Sequence, residues 1–269
     1  AVINIVNQLI QYWMLGLHLE RVSDITQTPL EASLDTQSTL MLPITGQLTA
    51  KNIAYRYSPN DPQVFSELSF DVDKGEFVAL FGPSGVGKTT LLKVLIGLAN
   101  PEAGEIEVDG ISLRAIGHHS FRRNIAAIMQ NDTLFSGSIR ENVVFFDSSP
   151  DLKRVQEVCE QAQIHAEIVM SPMGYDSLIG DMGSSLSGGQ QQRILMARAL
   201  YQNPKILFLD EGTAHVDATT EQQIMDNLKN LGLTCIYVTH NPALLSFANK
   251  VIEWVGPGKL EVSSRPEAN

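Results

Sequence analysis

The sequence predicts an α/β fold in which a mostly parallel sheet carries a helical lobe inserted between two of its strands. Three observations lead there. Four short apolar runs, Glu76–Phe81, Ile125–Met129, Lys205–Asp210 and Thr234–Thr239, read as strands buried on both faces, as a parallel sheet requires. The first of them runs into a glycine-rich loop, Gly82-Pro83-Ser84-Gly85-Val86-Gly87-Lys88-Thr89, and then into a helical stretch, Thr89–Ile96. Between the second and third, residues 131–200 show mainly helical periodicity, in Asp151–Ile164 and Gly188–Leu200.

The remaining elements follow in order. Residues 1–27 form an apolar helical pattern through Ile3, Val6, Ile10, Trp13, Met14 and Leu17, interrupted by Asn7, Gln8, Gln11 and His18. The unbroken apolar stretch is shorter than the roughly 20 residues that a bilayer crossing needs. The pattern suits the end of a transmembrane helix emerging into the cytoplasm, with an amphipathic helix packed on the domain as the alternative. Residues 28–45, with Pro29, Pro43 and scattered Ser, Thr and acids, read as a linker. The compact domain is expected over 46–262, followed by a tail at 263–269. Leu48–Tyr57 and Leu68–Val72 alternate as antiparallel strands do, which predicts an antiparallel β subdomain.

With 269 residues, 43% of them hydrophobic, the chain is long enough for one large domain with a substantial core. A net charge of −11 and a pI near 4.9 argue against nucleic acid as the main partner, since a phosphate backbone calls for a basic surface. The two cysteines, Cys159 and Cys235, have neither disulfide nor metal spacing and fall on apolar faces, which makes them core residues in a reducing compartment. No signal-peptide pattern opens the chain. Its start at Ala1 rather than Met predicts a piece of a longer protein.

The glycine-rich run fits G-x-x-x-x-G-K-[ST], the phosphate-binding P-loop or Walker A motif. Glycines let the backbone curl so that successive N–H groups point at one anion, and the helix start adds partial positive charge at the same place. Candidate nucleotide contacts run from Gly82 through Thr90. Lys88 reaches the β- and γ-phosphates, and the Thr89 hydroxyl can hold Mg²⁺. A plain glycine turn is the competing reading, and the strand–loop–helix context counts against it.

A second constellation ends the strand Lys205–Asp210. An acid at the carboxyl edge of a parallel strand sits where open α/β sheets bind ligands. Asp210 suits a Mg²⁺ role, and Glu211 suits polarising an attacking water; the alternative is a carboxylate pair capping the next helix. A third run, Leu186-Ser187-Gly188-Gly189-Gln190, places a serine and free amides at a predicted helix start, a second anion site.

With these motifs the sequence resembles an ATP-binding-cassette (ABC) ATPase, whose signature is LSGGQ. The resemblance covers about residues 46–255, with the motifs in the family's order. It implies a P-loop NTPase (RecA-like) core with an antiparallel β subdomain and an inserted α-helical subdomain. It implies that Tyr57 stacks on adenine, that Gln130 is the Q-loop residue contacting Mg²⁺ or water and the membrane partner, and that His240 is the switch histidine on the γ-phosphate. Asp217 matches the D-loop acid. Ser187, Gly188, Gly189 and Gln190 would bind the γ-phosphate held by a second copy, so that two chains sandwich two ATP molecules. Two departures stand out. The D-loop reads Ala214-His215-Val216-Asp217, with His215 unusual, and Asp181 stands near the place of a glutamate common in exporters.

The run Leu134-Phe135-Ser136-Gly137-Ser138-Ile139-Arg140-Glu141-Asn142 resembles exporters, and together with the leading helix and Gly180-Asp181-Met182-Gly183-Ser184-Ser185 is similar to bacterial exporters of bacteriocins or protein toxins. Some of those carry a peptidase domain that these residues lack. The resemblance thus implies an ATP-hydrolysing domain at the cytoplasmic face of the bacterial inner membrane, with Mg²⁺ as cofactor. Its implied partners are a second copy, a transmembrane domain of the same polypeptide and an exported peptide or protein. An exporter of lipids or small-molecule drugs, a soluble ABC ATPase and a non-catalytic regulatory subunit are the alternatives. Intact Lys88, Glu211, Ser187 and His240 argue against the last.

Overall fold

A computed structural model of the chain describes residues 2–27, 43–180, 186–256 and 259–264. Most of the expected linker, the stretch containing Asp181, and residues 265–269 lie outside the described residues. The chain divides into two compact units, residues 1–39 and 40–269.

The first unit contains helix α1 (Val2–Gln27). Ile3, Val6, Tyr12, Trp13, Met14, Leu15, Leu19 and Val22 are all exposed. At 100° per residue these positions surround the helix axis. Among the described residues no helix is long and apolar enough to cross a membrane.

The second unit opens with β1 (Leu48–Tyr55), β2 (Phe65–Val72), β3 (Phe77–Phe81), α2 (Lys88–Leu95), β4 (Ala103–Val108) and β5 (Ile111–Ser112). Two short helices, α3 (Leu113–Ile116) and α4 (His118–Arg122), lead to β6 (Ile125–Ile128). The lobe comprises β7 (Gly137–Ser138), α5 (Ile139–Val144), α6 (Leu152–Gln161), α7 (His165–Met170), β8 (Leu178–Ile179) and α8 (Gly188–Tyr201). The chain returns through β9 (Ile206–Asp210), α9 (Ala218–Asn230), β10 (Thr234–Val238), β11 (Lys250–Gly256) and β12 (Lys259–Ser264).

The four expected parallel strands pair in the order β3-β10-β9-β6. The sheet has two more strands than that reading supplied: β11 lies parallel beside β3, and β12 closes the edge antiparallel to β11. The antiparallel subdomain likewise gains β4 and β5, giving the order β2-β1-β4-β5. Two boundaries also move. Ile44 is buried and Thr45 bonds to Asp109, so both belong to the domain rather than to the linker. Ser263 and Ser264 pair with Val251 and Lys250, so the sheet reaches past residue 262 into the expected tail.

Side-chain alternation divides the core in two. Val78, Leu80, Phe208 and Ile236 point to one face of the parallel sheet, where Leu91, Leu92 and Leu95 of α2 pack together with Leu48, Ile53 and Phe65 of the antiparallel sheet. Phe77, Ala79, Leu207, Leu209 and Tyr237 point to the other, against Val155, Val158 and Cys159 of α6 and Ile194 and Met196 of α8. Cys159 and Cys235 are buried in this second core, and burial pushes the Cys159 thiol up to about 12. Neither is a reactive thiolate at neutral pH. Parallel registers pair Val238 with both Leu80 and Asp210, and Leu209 with Ile128. The loops after β3, β10, β9 and β6 therefore leave one edge of the sheet together.

Candidate functional site

The P-loop leaves that edge from β3. Gly87 is the N-cap of α2, with φ +111°. A Cβ there would stand 2.3 Å from Val64 Cγ1, so only glycine lets the loop pass the strand and enter the helix. Lys88 is 6% exposed, and its Nζ donates to the carbonyls of Gly82 at 2.9 Å and Pro83 at 2.7 Å. Burial lowers its pKa, against the opposing pull of Glu211 and Asp210. Thr90 is buried on α2, and its hydroxyl lies 2.6 Å from that of Tyr57. The Tyr57 ring is 64% exposed beside the loop, edge-on to Tyr55.

Asp210, the last residue of β9, is 2% exposed. Burial raises its pKa, while a hydrogen bond from Thr89 and the charge of Lys88 lower it. Its Oδ2 is buried and, among the described residues, has no hydrogen-bond partner. An orphaned carboxylate oxygen beside a threonine hydroxyl is a hard-oxygen donor set, which fits Mg²⁺ held jointly with substrate phosphates. Among the described residues no group of three or more His, Cys, Asp or Glu is placed to hold a metal ion by itself.

Glu211 occupies the left-handed region at φ +55°, uncommon for a non-glycine residue. One carboxylate oxygen lies 3.0 Å from His240 Nε2, and Gln130 Nε2 stands 3.4 Å from the other. The structure thus brings together side chains from the ends of β9, β10 and β6 that are far apart in sequence.

The signature run begins α8. Ser187 is the N-cap: its hydroxyl accepts from the Gln190 N–H at 3.2 Å, and its own N–H donates to Gln190 Oε1 at 2.8 Å. This capping box orders the first turn. A Cβ on Gly189 would lie 2.7 Å from the His215 carbonyl oxygen, so glycine is what allows α8 to meet the loop of residues 212–217. A Cβ on Gly188, the first residue of α8, would meet the His215 side chain at 3.4 Å, an ordinary contact. The His215 N–H donates to Gln192 Oε1 at 2.8 Å, and Gln192 Nε2 donates to the Glu211 carbonyl at 3.3 Å. Asp217 caps α9, its carboxylate accepting from the Thr220 N–H at 3.0 Å; these bonds hold its pKa below the ordinary value. The exporter-like run 134–142 forms β7 and the start of α5, where Ser138 and Glu141 make a second capping box.

Four residues of this region escaped the motif-based reading: Gln192, Thr213, Glu221 and Asn241. Glu221 left a signal, because it occupies the buried stripe Glu221, Ile224, Met225, Leu228 of α9 at helical spacing. The others carry none, since their partners are distant in sequence.

Residues 65–214 match the ABC transporter family. The colicin V secretion/processing ATP-binding protein CvaB of Escherichia coli is 42% identical over 246 residues, 91% of this chain and 35% of that protein. The leukotoxin translocation ATP-binding protein LktB of Mannheimia haemolytica is 36% identical over 252 residues, again 91% of this chain and 35% of that protein. Among solved structures, a bacterial Atm1-family ABC exporter with ATP bound superposes with a TM-score of 0.77 at 31% identity, covering 83% of this chain and 39% of that one. The chain spans about a third of the length of these relatives. On its matched motifs, its fold and these similarities, the chain belongs to the ABC transporter family.

Proposed function

We propose that the chain binds ATP with Mg²⁺, hydrolyses it between two copies of itself, and so drives export of a peptide or protein from the cytoplasmic face of the bacterial inner membrane. The observation that carries the hydrolytic part is the meeting of Glu211 with His240 and Gln130 at the sheet edge that also bears Lys88 and Asp210. The relatives named for colicin V and leukotoxin secretion support the class of cargo.

The reaction is in-line attack of water on the γ-phosphorus with ADP as leaving group, and negative charge builds on the phosphoryl oxygens. Lys88 exchanges the carbonyls of Gly82 and Pro83 for phosphate oxygens, which add counter-charge to that of Glu211 and Asp210. The loop amides from Gly82 to Gly87 receive the β-phosphate, with Ser84, Gly85 and Val86 at the bend. Tyr57 carries the adenine, and Thr90 lies beneath it. Glu211 orients the water and takes its proton. His240, bonded to Glu211, holds the γ-phosphate. Asp210, Thr89 and Gln130 would hold Mg²⁺, which neutralises phosphate charge when bound. Ser187, Gly188, Gly189 and Gln190 reach the γ-phosphate of the second copy, with Asp217 on the facing loop. Hydrolysis removes the group that joins the copies, and Gln130 relays the change to a transmembrane domain.

Glu211→Gln tests this directly. It should retain ATP binding and lower kcat by about 10²- to 10⁴-fold, the usual contribution of a general base. With ATP, light scattering should find it dimeric; with ADP, monomeric; adding Ser187→Arg should abolish the dimer. A Glu211→Gln protein that turns over like wild type, or stays monomeric at high ATP and protein concentration, refutes the shared site.

A further inference from the structure

Glu221 is a carboxylate in an otherwise apolar stripe of α9 and is 7% exposed. A buried acid among apolar neighbours is costly unless its oxygens are satisfied. Both are. The Thr213 hydroxyl donates to one at 2.7 Å, and Asn241 Nδ2 donates to the other at 2.9 Å. Thr213 stands two residues after Glu211, and Asn241 directly after His240. Each donor is fixed in turn. Thr213 is buried, and Asn241 donates its N–H to Thr239 Oγ1 and accepts from the Ala243 N–H, both at 3.0 Å.

The two loops need such a tie. Between them lies an open cleft of about 450 Å³, lined by Glu211, Val216, Thr239 and His240 and by Thr213, Glu221 and Asn241 of the tie itself. Glu211 also sits at φ +55°, and such a backbone persists only where its surroundings over-determine it. Resting on the role given to Glu211 and His240 above, we propose that Glu221 is a positioning residue. By holding Thr213 and Asn241 at once, it locks the loop of the general base to the loop of the histidine and maintains their 3.0 Å contact. Glu221 acts through these loops.

The test is steady-state ATP hydrolysis by the 269-residue chain and its Glu221→Ala, Glu221→Gln and Thr213→Val variants. Fluorescent-ATP binding and thermal melting are read beside it. Glu221→Ala should lower kcat by about 10- to 100-fold, the effect of displacing a catalytic group by an ångström or less, with KM within about twofold. Glu221→Gln should recover most of the rate, because its amide oxygen still accepts from Asn241 and its NH₂ can donate to the Thr213 hydroxyl. Thr213→Val, which removes one leg at constant volume, should fall between. Wild-type kcat in Glu221→Ala overturns the proposal, as does a Glu221→Gln as impaired as the alanine variant. Equal losses in binding and turnover also overturn it, since they mark a structural role. Should Glu221→Ala fail to fold, wild-type kcat in Thr213→Val overturns it. If the wild-type chain hydrolyses no ATP, the reading of Glu211 fails first and this proposal falls with it.

Discussion

Replacing Tyr57 by alanine removes a ring that is 64% exposed and touches the domain at two places. One is an edge contact with Tyr55, 5.3 Å between centroids; the other is the 2.6 Å hydrogen bond to Thr90 Oγ1. So exposed a residue contributes little packing, and with its hydrogen bond to the buried Thr90 hydroxyl lost, stability should fall by about 0.5–1.5 kcal/mol. Stacking on adenine is worth about 0.5–1.5 kcal/mol. At 1.4 kcal/mol per tenfold, its loss weakens nucleotide affinity about 2- to 13-fold. The adenine is remote from the reacting phosphorus, so the contact is equal in ground and transition states: KM rises and kcat holds. Tyr57→Phe keeps the ring, gives up only the bond to Thr90, and should stay near the wild-type KM. The assay is hydrolysis against ATP concentration at saturating Mg²⁺, with direct titration of a fluorescent ATP analogue. An unchanged KM in Tyr57→Ala refutes the stacking role and turns attention to Tyr55. A phenylalanine variant as weak as the alanine one assigns the effect to the hydroxyl instead.

Two further outcomes are expected. Lys88→Ala should abolish hydrolysis and weaken ATP binding by about 10- to 150-fold, the equivalent of one charge-assisted hydrogen bond at 1.5–3 kcal/mol; wild-type turnover at saturating Mg·ATP contradicts the site. Deleting residues 1–27, which belong to a compact unit of their own, should leave nucleotide affinity and melting temperature unchanged in the remaining chain; loss of either makes α1 part of the domain's core.

Much of the site is legible in the sequence because its motifs act through local geometry. A P-loop is a backbone conformation written by its own glycines, and at Gly87, with φ +111°, any Cβ would stand 2.3 Å from Val64 Cγ1. The capping box of Ser187 and Gln190 spans three residues and is visible as a pattern. The apolar runs of β3, β9 and β10 show in the same way, since strands buried on both faces tolerate few polar residues; β6, at the sheet edge, is apolar but only half-buried. β11 and β12 were missed: β12 is an edge strand whose Lys259, Glu261, Ser263 and Ser264 lack a buried strand's signature, and Lys250 and Glu253 break the run in β11.

The sequence by itself determined which residues could hold phosphate, and in what order they come. Only the tertiary structure decided which of them meet. Parallel pairing of β3, β10, β9 and β6 gathers residues dozens of positions apart at one sheet edge, and its register sets the 3.0 Å between Glu211 and His240. The same assembly buried Glu221 between two loops. The physical reason is range. Backbone curvature and helix capping are settled within a few residues, whereas a side chain's burial and partners depend on sheet pairing and packing across the whole domain.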